Sequence, residues 1–258
     1  MYRFLLQRRW VALHAVVLLL APLCVTLGNW QWDRHEARTA RARQIEHNSS
    51  QPPVPLRELL TGRPALPVAA EWRTVVIEGR YSPAATVLLR NRGGPDGGTG
   101  FGVLVPLLTR EGAVLVDRGW VPRTGTSDPD VPPPPSGRVT VTGYLRPGGV
   151  RARDAGVDRS RARPSVARID LAALSDLTGR ALAPAYVQLV GEAPAPAARP
   201  RVLPLPDESS WRNISYAFQW YLFAGLAVVG WVLLVRREIL DRRNEPAPRA
   251  RAAEREPV

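Results

Sequence analysis

The chain has 258 residues, room for one or two domains, and carries 35 basic against 23 acidic side chains for a formal net charge of +12. Every Lys/Arg position is arginine, and a single cysteine excludes an internal disulfide and any Cys-pair metal or redox site. The mean hydropathy of -0.14 suits a soluble protein, but it averages over two strongly apolar ends.

The first nine residues form a short basic N-terminus with Arg3, Arg8 and Arg9. Trp10 to Trp32 then runs for 23 residues without a formal charge, long enough to cross a bilayer as a helix. A cleaved signal peptide is the rival reading, since basic residues before an apolar run also describe that segment. The run is longer than a signal core and no small-x-small site follows it, so an uncleaved anchor is expected. Cys24 lies within this run as a small apolar packing residue.

Residues 33–70 read as a charged juxtamembrane helix, Glu36 to Gln51, broken by the proline-rich QPPVPL. From Glu71 the pattern changes to β-branched runs punctuated by Gly, Pro and Asp: WRTVVIEGRY, TVLLRNR, GFGVLVPLL, AVLVDRGWVP and GRVTVTGYLR. The last alternates, with Val139, Val141 and Leu145 on one face and Arg138, Thr140, Thr142 and Arg146 on the other. Alternation of this kind predicts an antiparallel sheet with one wet face. GGPDGGTG (93–100) lacks the lysine and following helix of a phosphate loop and reads as a turn. Arg146 to Arg168 is a long basic loop, either a solvated linker or a contact for lipid headgroups or an acidic partner. IDLAALSDLTG predicts a helix with Leu171, Leu174 and Leu177 on one stripe and Gly179 as its stop, and PAYVQLV a final strand. The β-rich domain is thus bounded at 71–192, with an extended linker over 193–212.

Asn213 to Val235 is a second uncharged run of 23 residues, followed over 236–258 by a basic tail without expected regular structure. Arginines flank both runs on their terminal sides, so the positive-inside rule predicts a bacterial plasma-membrane protein with two spans and both termini cytoplasmic. The expected fold is α+β: two transmembrane helices flanking a small antiparallel β-rich extracytoplasmic domain. Basic charge that flanks apolar helices matches anionic membrane lipid better than nucleic acid, which is not expected as a partner.

No Ser-His-acid, HExxH or CxxC pattern is present, so the chain is not expected to be an enzyme. His14 lies one turn or so into the first run, as a packing or interfacial residue. Gly28, Gln31 and His35 share one helical face with Arg34 at its border, and Asn213, Tyr216, Trp220 and Phe223 do the same on the second helix. These groups are either an interfacial aromatic belt or a site for a cofactor or partner. In VDRGWVP (116–122), Gly119 permits a bulge, Trp120 supplies core area and Pro122 ends the pairing.

LGNWQWDRHE (27–36), EWRTVVIEGRY (71–81), VLVDRGWVP (114–122) and NISYAFQWYLFAG (213–225), in this order and with two spans, resemble the surfeit locus protein 1 family of membrane-bound cytochrome c oxidase assembly factors. The resemblance implies an assembly role without turnover, partnership with cytochrome c oxidase subunits and chiefly the haem-copper subunit, and transient binding of haem a on its way to that subunit. On the matching positions Trp30, Gln31, Arg34, Tyr216 and Trp220 would line a haem pocket, with Arg34 on a propionate and Arg118 and Trp120 on a partner-facing part of the β domain. Family members often carry a histidine shortly before the tyrosine-tryptophan pair as an axial ligand. Asn213 stands there, and amides are poor haem ligands, which leaves His35 to substitute from the opposite helix. The alternative is a two-helix sensor or scaffold that binds a partner through its external domain. Only 23 residues follow Val235, which leaves no room for a signalling domain and ranks this reading lower.

Overall fold

A computed structural model describes residues 3–123, 125, 128–149, 156–206 and 211–244. In chain order the elements are α1 (Arg8–Ser50), β1 (Val54–Pro55), α2 (Leu56–Leu60), β2 (Thr74–Tyr81), β3 (Val87–Gly93), β4 (Thr99–Leu108), β5 (Ala113–Pro122), β6 (Val139–Pro147), β7 (Ser165–Val166), α3 (Leu171–Thr178), β8 (Leu182–Ala193) and α4 (Trp211–Asn244). They divide into two units, Met1–Ala40 with Glu208–Val258, and Arg41–Asp207.

The first unit is a pair of antiparallel helices. α1 and α4 are each long and apolar enough to cross a membrane. The apolar run and the charged stretch after it form one uninterrupted helix, which ends at Ser50 before Pro52 and Pro53 remove two backbone donors. At the other end of the chain, helix continues through the expected tail as far as Asn244; residues 245–258 lie outside the described residues.

The helices meet along a narrow seam. On α1 the covered positions include 10, 14, 17, 21, 24, 28, 31 and 35, in alternating steps of four and three, the spacing that keeps one stripe on a partner helix. Small residues dominate its middle. Cys24 and Gly28 are buried opposite an α4 stripe that contains Ala217 and Ala224, which lets the backbones approach. A Cβ on Gly28 would lie 2.7 Å from the Tyr221 ring. Three polar rungs fix the register: Arg9 with Glu238 at 2.8 Å, Trp231 Nε1 donating to His14 Nδ1 at 2.8 Å, and the Tyr221 hydroxyl donating to Asn29 Oδ1 at 2.7 Å.

The second unit is a sheet in the order β1-β2-β6-β8-β5-β4-β3-β7, and an added β2–β4 pairing closes β2, β6, β8, β5 and β4 into a ring. That closing seam is short, only Arg80 with Leu108 and Tyr81 with Leu107. The barrel is therefore five-stranded and partly open, with β3 and β7 continuing outside it. The expectation of an antiparallel sheet is corrected here. β5 runs parallel to β8, as do β1 to β2 and β3 to β7, so the sheet is mixed. The physical reason lies in the connections: β5 reaches β8 only after β6 and α3, and a crossover of that length permits parallel pairing.

β6 keeps the predicted alternation, with Val139, Val141 and Leu145 buried and Thr140, Thr142 and Arg146 half-covered, because both its neighbours are antiparallel. β5 is buried at every position from Ala113 to Val121. Its inward side chains join the barrel core with Val75, Phe101, Val103, Leu107 and Leu189. The others face a second core of Leu104, Leu115, Val166 and Leu174, roofed by α3. α3 forms where expected. Asp170 caps it by accepting from the amides of Ala172 and Ala173 at 3.0 and 3.1 Å, and Gly179 ends it in the left-handed region.

Gly119 is the bulge expected of it. Gly102 pairs with Trp120 and Leu104 with Asp117, so Arg118 and Gly119 together oppose Val103. Gly119 has φ +125, and an added Cβ would sit 2.4 Å from the carbonyl oxygen of Arg201. Only glycine fits both demands. The bulge seats the linker, since Trp120 and Arg201 exchange two backbone hydrogen bonds of 2.8 Å.

Candidate functional site

The residues singled out in the sequence fall into two groups, one in each unit. In the helix pair, Gln31 and His35 occupy the seam, half-buried, in register with buried Gly28. His35 packs edge-on against Trp32 at 6.2 Å, and its Nδ1 is buried without a hydrogen-bond partner. Trp32 in turn donates Nε1–H to Glu36 at 2.9 Å. Trp30 and Arg34 lie outside the seam, both exposed, with the guanidinium 5.5 Å from the centre of the Trp30 ring. On α4, Trp220 is half-buried and packs at right angles on Phe223 at 6.0 Å. Tyr216 faces outward and is 53% exposed. The seam of α4 is thus turned about one residue from the expected face, through Ala217, Trp220, Tyr221 and Ala224. The side chain of Asn213 lies outside the described residues.

Sequence reasoning missed Tyr221 and Asn29, which join the helices beside Gly28, and the Trp231 indole that engages His14. The four-three spacing of the seam is the signal that finds Tyr221 and Trp231, since 217, 221, 224 and 231 continue one stripe; Asn29 lies beside the α1 stripe, and spacing alone does not pick it out.

The second group, on β5, is enclosed. Arg118, expected on a partner-facing surface, has no exposed side-chain area. Its Nη2 donates to Glu192 Oε1 at 2.6 Å, its Nη1 to the carbonyl oxygen of Pro132 at 3.1 Å, and its guanidinium lies 5.4 Å from the Tyr81 ring centre. The Tyr81 hydroxyl donates to the other Glu192 oxygen at 2.7 Å. Burial, reinforced by the Glu192 carboxylate, pushes the Tyr81 phenol far above its ordinary range, so it remains a donor. Asp117 pairs with Arg92 at 2.8 Å and is wholly buried; desolvation raises its pKa, with Arg92 opposing. Trp120 is also buried, donating its indole N–H to the carbonyl oxygen of Arg92 at 3.0 Å. A Cβ on Gly94 or Gly100 would strike its ring at 2.7 or 2.6 Å, so those glycines make room for it. These side chains hold β5 and its neighbours in place.

No cluster of three His, Cys, Asp or Glu residues able to hold a metal ion occurs among the described residues. What the helix-pair group offers chemically is an unpartnered imidazole nitrogen beside aromatic faces and a solvent-side guanidinium.

Comparison with known proteins decides the family. The model of the SURF1 family matches residues 18–225, taking in most of the first helix, the whole β domain and the first turns of the second helix. The chain belongs to the SURF1 family. It is 35% identical over 249 residues to SURF1-like proteins of Mycobacterium tuberculosis and Mycobacterium bovis, themselves named as uncharacterized, across 95% of this chain and 90% of theirs. The SURF1 family is linked in general to cytochrome c oxidase assembly, so the surfeit resemblance read from the four ordered motifs holds.

Proposed function

We propose that this chain is an assembly factor for cytochrome c oxidase, held in the bacterial plasma membrane by α1 and α4 with both termini cytoplasmic, and that it assists insertion of haem a into the haem-copper subunit by binding, without catalytic turnover. The observation that carries the reading is the SURF1 match across residues 18–225. Two helices of spanning length support the membrane setting, and Arg3, Arg8, Arg9, Arg236 and Arg237 on their terminal sides support the orientation.

Haem a enters this reading as cargo. The residues of the helix pair fit such a group: buried His35 Nδ1 has no hydrogen-bond partner among the described residues and can serve as an iron ligand. Exposed Trp30 and Tyr216 and half-covered Trp220 supply apolar faces for a macrocycle, Gln31 a polar contact, and Arg34 a cation for a propionate. A protein that passes cargo on benefits from weak, partly exposed contacts of this kind, since tight enclosure would slow release.

The test of the assembly role is a clean deletion. Oxidase activity and membrane haem a should fall while other respiratory complexes persist; normal oxidase activity would end the reading. The cargo has its own test. Purified protein loaded with haem should show a Soret band that His35→Ala weakens, and an unchanged spectrum in that variant would remove His35 as a ligand.

A further inference from the structure

One feature of the β domain is unused by its packing and by the haem reading. α2, the second half of β2, the β4–β5 turn and the start of β8 enclose a cleft of about 900 Å3. Its floor is apolar, built from Leu60, Ile77, Leu108 and Leu182. Its rim carries Arg57, Arg80, Arg110 and Arg138 against Glu78 and Glu111. Arg138 is engaged by Glu78 at 3.8 Å, and Glu111 accepts from the Thr109 hydroxyl at 3.4 Å. Among the described residues Arg57, Arg80 and Arg110 form no side-chain hydrogen bond or ion pair, and all three are exposed.

We propose that this cleft holds a partner polypeptide: an extended segment that carries aspartate or glutamate beside small apolar side chains. The proposal rests on the assembly reading and names the surface by which the β domain would hold a subunit being assembled. Three uncommitted guanidinium groups around a concave apolar floor match carboxylates flanking apolar side chains, and charge complementarity of this kind steers association and fixes register. A second copy of this chain is a poor occupant, because each molecule carries a net charge of +12. An anionic lipid surface is a poorer fit too. It is flat where the cleft is concave.

The experiment uses the full-length protein in its own membranes, with a photo-crosslinking amino acid at Thr61 on the cleft wall. The expected result is an adduct with an oxidase subunit, mapped by mass spectrometry to an acidic segment. Its yield should drop about fivefold or more in Arg57→Glu/Arg80→Glu/Arg110→Glu and with rising ionic strength. A triple reversal outside the cleft, Arg159→Glu/Arg168→Glu/Arg180→Glu, should leave it unchanged. Changing the captured acidic residues to lysine should restore the adduct to the cleft variant. If the triple cleft variant does not fold, Arg80→Glu and Arg110→Glu are read singly against the same control. Adducts only with phospholipid or with a second copy, an adduct indifferent to the reversal, or no adduct would each overturn the proposal. The two readings part cleanly. A deletion strain poor in oxidase that the cleft variant fully rescues sinks the cleft alone. A charge-dependent adduct with an acidic segment in a strain whose oxidase survives deletion keeps the cleft and sinks the assembly role.

Discussion

The two units bury apolar side chains to opposite ends. In the β domain nearly every large aliphatic residue is inside, shared between a barrel core and an outer core beneath α3. In the helix pair the large ones point away: Leu18, Leu19 and Phe218 are 72%, 74% and 63% exposed, and the seam is left to small residues and a few polar rungs. An apolar surface of that extent suits the proposed membrane setting better than water. Burial of area drives the barrel together, whereas helices in the proposed membrane setting would gain nothing from hiding leucine and would associate by close backbone approach and hydrogen bonds. Polar groups consequently do different work in the two places. Within the barrel they include the charged pairs Arg118 with Glu192 and Arg92 with Asp117, locked by the packing around them. Between the helices they are neutral or peripheral and set register.

The largest test of that contrast is Arg118→Ala. The side chains of Arg118 and Glu192 are 0% and 1% exposed, so truncation leaves a buried carboxylate with only the Tyr81 hydroxyl. The expected loss is about 3–5 kcal/mol, read by urea unfolding of the full-length protein in mild detergent. Replacing both partners with uncharged residues of similar size, Arg118→Met with Glu192→Gln, should cost far less than the single change, since no charge is then stranded. Equal losses in the two variants would mean that the pair is not the lock the geometry describes.

A smaller effect sharpens the same point through pH. Burial raises the pKa of Asp117 above its ordinary 3.8, so the folded state holds its proton more readily than the unfolded chain. The sign follows: the stability contributed by this carboxyl is present below the unfolded pKa and falls as pH rises through the folded value. Asp117→Asn should remove that fall. The difference in unfolding free energy between variant and wild type should change by at most about 1.4 kcal/mol per pH unit between the two pKa values and be flat elsewhere. A difference independent of pH across the carboxylate range would place Asp117 in a better-solvated setting than its enclosure implies.

Sequence made most of this architecture legible because most of it is local. The alternation over residues 139–146, the Asp170 cap and the Gly179 stop all depend on near neighbours. The parallel pairing of β5 with β8 depends on a partner some seventy residues away, which no local pattern reveals, although the apolar runs 103–108 in β4 and 113–116 in β5 carry the mark of strands covered on both faces. The setting of Arg118, which the resemblance assigned to a partner-facing part of the domain, depends in the same way on a distant residue: Glu192, 74 positions on, pairs with its enclosed side chain. In the helix pair Gln31 and His35 lie on the stripe that spacing picks out, but the facing of α4 came out one residue off. A helix apolar on every side offers no contrast from which to read its orientation, and only the seam spacing of small residues does.

The smallest test asks how much one rung between the helices contributes. The Tyr221 hydroxyl donates to Asn29 Oδ1 at 2.7 Å beside Gly28, whose missing side chain leaves room for the Tyr221 ring. Tyr221→Phe keeps the ring that packs on Gly28 and removes only the donor. Hydrogen bonds between membrane helices average about 0.6 kcal/mol and reach about 1.7, because the separated helices find other partners. The variant should therefore shift helix-pair dissociation only slightly in an SDS titration followed by dyes on Leu19 and Val228. The cycle with Asn29→Ala should return a coupling of the same size. A coupling near that of the buried ion pair in the barrel would mean the helices are held by polar contacts as strongly as the domain is held by its core, and the division between the two units would dissolve.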